Sequence, residues 1–210
     1  MTRQHIHIVR HPLLGSSLTV LRQKNTGTED FRKHAGIVSK ILLVEALKNL
    51  RVSRYRIETP LSAAIGVKLK DDVVVVPVLR AGLAMLFAIN DFLPQVGVGF
   101  VGLERDEQTA IAREYYRKLP RLFKTSTVLV LDPMLATGGS FDDTITILKG
   151  KGASKLLLVC IVAAPEGLER IRRKHPGVTV YTAAIDSHLN DRKFIVPGLG
   201  DFGDRYFGTV

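Results

Sequence analysis

Tryptophan is absent, cysteine occurs once, and aromatic residues make up only 7% of the 210 positions. Each scarcity removes a class of function. A lone cysteine, Cys160, excludes an intrachain disulfide and a thiolate metal cluster. It sits in the apolar run LLLVCIVAA and reads as a core residue rather than a reactive thiol. With few aromatics and no tryptophan there is little on which unpaired bases could stack, which argues against a single-strand nucleic-acid platform. No apolar run approaches the length of a bilayer crossing, and the opening MTRQHIHIVRHP lacks the uninterrupted apolar centre of a secretion signal, so a cytoplasmic protein without a membrane anchor is expected. His5, His7 and His11 have no carboxylate or cysteine beside them and are assigned no metal. Internal repeats and low-complexity segments are lacking as well. Neither G-x-x-x-x-G-K-[ST] nor G-x-G-x-x-G occurs, which removes two common nucleotide-binding loops.

What is present is an ordinary globular composition, 46% hydrophobic and 24% charged, with a net charge of +10. Such a length fits a single domain over residues 1–210 with room for a sizeable core. The charge favours a polyanionic partner, either nucleic acid or a small, highly phosphorylated substrate. Basic residues are dispersed rather than gathered in a tail, so nucleic acid is the weaker reading.

The most informative stretch covers residues 127–150, TVLVLDPMLATGGSFDDTITILKG. Val128, Leu129, Val130 and Leu131 form a short, unbroken apolar run, the pattern of a central parallel strand buried on both faces. Asp132 and Pro133 end it. Ala136, Thr137, Gly138, Gly139 and Ser140 follow, directly before a helix whose apolar positions are Phe141, Ile145 and Leu148. Small residues at a helix start leave unhindered backbone N–H groups at a positive dipole end, a setting suited to phosphate. The same strand, turn and helix also occur in α/β proteins with no ligand there.

The rest alternates in the same manner. A long helix is expected over 26–50, capped by Thr26 or Thr28, with Phe31, Ala35, Val38, Leu42 and Ala46 inward. Residues 1–25 read as irregular or weakly extended, and 51–72 as edge strands or an arm that reaches a second subunit. A strand over 71–80 ends at Arg80, a guanidinium where ligands bind in open parallel sheets. A helix over 84–90, a strand over 96–103, and a charged connection up to Pro120 with the character of a lid come next. Strands over 155–164 and 178–185 flank a helix over 166–175, whose Arg170, Arg172, Arg173 and Lys174 read as a solvated face. Residues 194–208, FIVPGLGDFGDRYFG, have four glycines and no helical period, so a packed irregular segment presenting backbone groups is expected. The fold class is therefore α/β, a mostly parallel Rossmann-like sheet flanked by helices, with a small arm or hood.

DPMLATGGS resembles the phosphoribosyl pyrophosphate motif of the type I phosphoribosyltransferases, in the form found in uracil phosphoribosyltransferases, with Pro133 where most of the wider family has a second acid. VLRAGL, AAPEG and PGLGDFGD fit the same family in the same order. The resemblance covers nearly the whole chain. It implies a pentosyltransferase of pyrimidine salvage that makes UMP and pyrophosphate from uracil and 5-phosphoribosyl 1-pyrophosphate (PRPP). Catalytic positions would be Arg80, Arg105 and Asp132. PRPP would be held by these together with Pro133, Met134, Leu135, Ala136, Thr137, Gly138, Gly139, Ser140 and Asp201, and uracil by Ile195, Gly200, Asp201 and Phe202. Mg²⁺ would arrive with PRPP rather than in a protein cage. A homodimer or homotetramer and a GTP effector belong to the same expectation. The chain departs from the family where Ala112, Arg113 and Glu114 replace prolines of the lid, and where Phe194 replaces a tyrosine. An RNA-binding regulator on the same fold, and a transferase for a purine or orotate, remain as alternatives.

Overall fold

The computed structural model describes residues 6–105 and 112–209. Ile6–Ile8 forms a short strand, β1. The expectation of irregular chain up to residue 25 then fails, because Pro12–Arg22 is a helix, α1. Proline suits the first helical turn, where its missing N–H would have no partner in any case. His11 accepts the Leu13 N–H at 3.2 Å, and Leu14, Leu18 and Leu21 recur at helical spacing and are buried. Helix α2 spans Thr28–Leu47 and buries the expected stripe from Phe31 to Ala46. Its cap is Gly27, without a side-chain bond. Thr26 instead donates its hydroxyl to the Val20 carbonyl at 2.6 Å.

Residues 51–72 do form an arm. Strands β2, Val52–Glu58, and β3, Ala63–Leu69, pair antiparallel as a two-stranded sheet of their own. The four-valine run becomes β4, Val73–Leu79, and leads into α3, Leu83–Asn90. The strand expected over 96–103 is divided into β5, Gly97–Val98, and β6, Phe100–Arg105. The connection that follows is not wholly a loop: Ala112–Lys118 is β7, antiparallel to β6. Asp106, Glu107 and Gln108 of the expected lid lie outside the described residues. Strand β8, Thr127–Leu131, is succeeded by the two-residue β9, Met134–Leu135, and by α4, Gly139–Gly150. Next come β10, Lys155–Ala163, α5, Pro165–Lys174, and β11, Thr179–Ile185. A small antiparallel pair, β12, His188–Leu189, and β13, Ile195–Val196, precedes α6, Phe202–Phe207. That last helix corrects the expectation for 194–208. Asp201 caps it by accepting the Asp204 N–H at 2.9 Å, and Gly208 closes it at φ 74°.

The main sheet runs in the order β1-β11-β10-β8-β4-β6-β7. Its pairings along that path are parallel except β6 with β7, and β8 lies in the middle. Alternate residues of each strand feed two cores, as a two-faced sheet requires. Val73, Val75, Leu129, Leu131, Leu157 and Val159 pack with α1, α2 and α3. Val74, Val76, Val128, Val130, Leu156 and Leu158 pack with α4 and α5. No described helix is long and apolar enough to cross a membrane.

Candidate active site

Parallel neighbours end on a common edge, so the segments that leave β4, β6, β8, β10 and β11 emerge side by side. After β4 the chain turns through Arg80, whose peptide bond to Leu79 is cis, and then through Gly82. A Cβ at Gly82 would stand 2.7 Å from both Val78 N and Val78 O and nearer still to Leu131 O. Only glycine lets this turn lie against the end of β8. The Arg80 side chain remains 61% exposed, with its Nη2 3.5 Å from Oδ1 of Asp204 on α6. In the β4–β6 register Leu79 faces Gly102, so Arg105, described by its backbone, lies beyond the end of β4 on the same edge as Arg80.

Asp132 follows β8 directly. Its N–H donates to the Val159 carbonyl at 3.3 Å, and one carboxylate oxygen accepts the Met134 N–H at 3.2 Å. Burial outweighs that bond and raises the carboxyl pKa to about 7. The turn expected at Pro133 is brief. Pro133 O accepts the N–H groups of Ile161 and Val162, and Leu135 O accepts that of Ala164. These bonds stitch residues 133–135 to β10, with Leu135 fully buried. The chain then lifts through Ala136 and Thr137 to Gly138, which caps α4 at φ 76°. Thr137 Oγ1 accepts the Gly139 N–H at 3.4 Å, and Ser140 stands in the helix's first turn, where N–H groups have no intrahelical acceptor.

The C-terminal segment presents backbone more than side chains. Ile195 and Phe202 are buried, the latter with its ring edge-on to Phe31 at 5.1 Å. Gly200 adopts φ 72° and Asp201 is engaged as the α6 cap. The Arg80–Asp204 pair joins this segment to the turn after β4. All described site positions thus share one edge of the sheet, and Asp132 and Asp201 are the carboxylates among them, oxygen donors of the kind that suits a hard, partly hydrated cation. Among the described residues, no group of three or more metal-ligating side chains forms a protein cage.

A family model described as uracil phosphoribosyltransferase matches residues 8–209. The chain belongs to the uracil phosphoribosyltransferase family. It is 49% identical to a uracil phosphoribosyltransferase of Dictyoglomus thermophilum over 96% of this chain and 98% of that one. It is 44% identical to one of Mycoplasma mobile over 97% and 99%. A solved structure of a protein from Aquifex aeolicus superposes with TM-score 0.90 at 36% identity, covering 96% and 97% of the two chains. A hypoxanthine phosphoribosyltransferase of Staphylococcus aureus, at 14% identity and TM-score 0.52, shares the fold alone.

Several residues around this candidate site escape a reading of the sequence. Gly167 in α5 presses on the loop before α4, since a Cβ there would meet Leu135 O at 3.0 Å and Ala136 O closer still. Asp142, in the first turn of α4, is buried, a cost for its charge. Bonds from Lys174 at 2.7 Å, Arg170 at 2.9 Å and His175 at 2.9 Å more than offset it and hold its carboxyl below the usual range. The basic face expected on α5 is therefore partly an internal clamp on α4. Cys160 is fully buried, and burial lifts its thiol to about 12, which removes it from nucleophilic chemistry near neutral pH.

Proposed function

We propose that the protein joins uracil to PRPP, with uracil N1 forming the bond to ribose C1 as the bond from C1 to the pyrophosphate oxygen breaks. The N1 proton is lost and UMP and pyrophosphate leave. Membership of the family supports this reading. The structural observation that carries it is the convergence, on one sheet edge, of Arg80, Asp132, the loop 136–140 and the backbone of 195–202. Catalysis rests on alignment and on stabilising charge that grows on the leaving group. Arg80 and Arg105 take the pyrophosphate, Asp132 receives ribose hydroxyls, and the loop with Pro133, Met134 and Leu135 leading into it holds the 5′-phosphate. Ile195, Gly200 and Phe202 offer uracil their backbone groups, and Asp201 reaches toward both substrates.

Uracil displays acceptor, donor and acceptor along O4, N3–H and O2, which backbone N–H, C=O and N–H groups can meet. Cytosine presents an amino donor and an unprotonated N3. Leaving a buried group unpaired costs about 1–3 kcal/mol, enough for roughly tenfold to hundredfold discrimination. Mg²⁺ is carried in by PRPP. When bound, it supplies further neutralisation of the pyrophosphate, and Asp132 and Asp201 are the side chains here suited to hold it directly or through water.

Residues 1–210 act as one phosphoribosyltransferase domain in the cytoplasm. A homodimer or homotetramer is supported by the arm, where Leu61, Ile65 and Val67 are exposed, apolar and 96%, 68% and 61% accessible. Sedimentation against an Ile65→Asp, Val67→Asp variant tests this. GTP is an effector by resemblance to the family. The activity test is UMP formation from labelled uracil, PRPP and Mg²⁺, with and without GTP, beside cytosine, orotate and hypoxanthine. Conversion of uracil alone is expected. Turnover of another base in preference to uracil, or of none, overturns the reading.

A further inference from the structure

Two arginines and a buried aspartate, none of them among the expected site positions, close around the segment that precedes Gly200. Arg22, in the last turn of α1, meets Asp186 in a two-pronged pair, Nη2 to Oδ1 at 2.6 Å and Nη1 to Oδ2 at 2.9 Å. Asp186 has only 4% of its side chain exposed. The pair does not stop at itself. Oδ2 of Asp186 also accepts the Gly198 N–H at 2.8 Å, and Nη1 of Arg22 donates to the Gly198 carbonyl at 3.0 Å. Both polar groups of one residue are thereby fixed by one ion pair. Arg205 then takes the next carbonyl. Its Nη1 donates to Leu199 O at 2.8 Å and to Leu21 O at 2.6 Å, and its Nη2 to Gln23 O at 2.7 Å. The guanidinium lies over the Phe31 ring at 4.3 Å from its centroid.

These bonds tie the end of α1 and the following turn to residues 198 and 199 from opposite ends of the sequence. Gly198 is held at φ 62°, where a Cβ would approach Ile195 C at 3.0 Å. Gly200, at φ 72°, is the next left-handed position. Among the described residues, no hydrogen bond engages its N–H or C=O. The clamp consumes the polar groups of residue 198 and the carbonyl of 199, and it leaves those of Gly200 free at a fixed orientation. Charge-assisted bonds to backbone are short and directional, so this is a rigid support for a recognition surface made of backbone.

We infer that Arg22, Asp186 and Arg205 are positioning residues for the base, which set the aim of the Gly200 backbone and thereby the preference for uracil. The inference rests on the proposed reaction. It is tested by steady-state kinetics of Asp186→Asn, Arg22→Gln and Arg22→Lys beside wild type, with KM for uracil, KM for PRPP, kcat, the uracil-to-cytosine ratio and the unfolding temperature measured for each. A loosened backbone donor should raise the uracil KM by roughly tenfold and lower the base preference, while the PRPP KM stays within about twofold. Arg22→Lys, which keeps the charge without the fork, should lie between Arg22→Gln and wild type. Should Asp186→Asn fail to fold, the two Arg22 variants carry the test, because that position is partly exposed. Folded variants with an unchanged uracil KM, or with both KM values rising in step with lost stability, overturn the inference alone. Wild-type protein that converts no base overturns the proposed reaction and this inference with it.

Discussion

Replacing Asp132 by asparagine should stabilise the substrate-free protein, and by more as the pH rises. The carboxyl titrates near 3.8 in the unfolded chain and, because of burial, near 7 in the folded one. Between those values the unfolded state has released the proton and the folded state retains it, so folding stability falls with rising pH and levels off above about 7. Asparagine carries no charge, yet its carbonyl oxygen keeps an acceptor for the Met134 N–H. A shift of roughly 3 units at 1.36 kcal/mol each gives about 4 kcal/mol at pH 8 and about 1.5 kcal/mol at pH 5. The gain of the variant should thus grow by about 2.5 kcal/mol over that interval, or by about half if water reaches the partly exposed residue. For a chain of this size that is roughly 3–10 °C in unfolding temperature. Urea or thermal unfolding of both proteins across the interval, with the wild type subtracted, isolates this group from the other carboxylates. Parallel stability curves would refute the reasoning, since they would mean that Asp132 is solvated and ordinary. If Asp132 receives ribose hydroxyls as a carboxylate, wild-type affinity for PRPP should also rise through about pH 7, and calorimetry of the variant should lose that rise.

The other expectations turn on room and charge at the same edge. Gly139→Leu should abolish PRPP binding with little loss of stability, because a Cβ there meets only Thr137 Oγ1 at 3.6 Å and Arg170 Nη1 at 3.9 Å; normal affinity by calorimetry would mean the phosphate lies elsewhere. Gly138→Ala should instead destabilise by about 1–2 kcal/mol, since φ is 76°, and a denaturation midpoint equal to wild type would contradict that. Arg80→Ala should lower kcat at unchanged unfolding temperature, given an exposed side chain whose ion pair with Asp204 is 3.5 Å long; unaltered kinetics would remove Arg80 from the site.

Fold class and the glycine turn before α4 were legible because they rest on local signals. A valine run needs a buried strand whatever surrounds it, and β4 and β8 fall close to where the hydrophobic pattern puts them. Adjacent glycines before Phe141, Ile145 and Leu148 likewise mark one turn and one helix. Two helices were missed although their signals are short-range too. In α1, Pro12 and the spacing of Leu14, Leu18 and Leu21 were outweighed by the alternation of Ile6 and Ile8 before them. In α6, Asp201 and Gly208 are the start and stop of a helix, but glycines on either side hid so short a period.

The supports of the site are a different matter, for they exist only across distance in sequence. Arg22 and Asp186 are 164 positions apart, and Asp142 and His175 are 33 apart. Nothing next to Arg22 announces a partner, and on a chain with +10 net charge any one arginine reads as surface. The sheet makes the difference. Its parallel order sets Asp186, just past β11, on the edge where α1 returns and where Gly198 must pass. Once the carboxylate is buried there, a cation and a backbone donor are the cheapest means of satisfying it. The polar support of residues 198 and 199 therefore follows from topology, whereas the backbone surface it holds follows from local glycine chemistry, and only the second can be read along the chain.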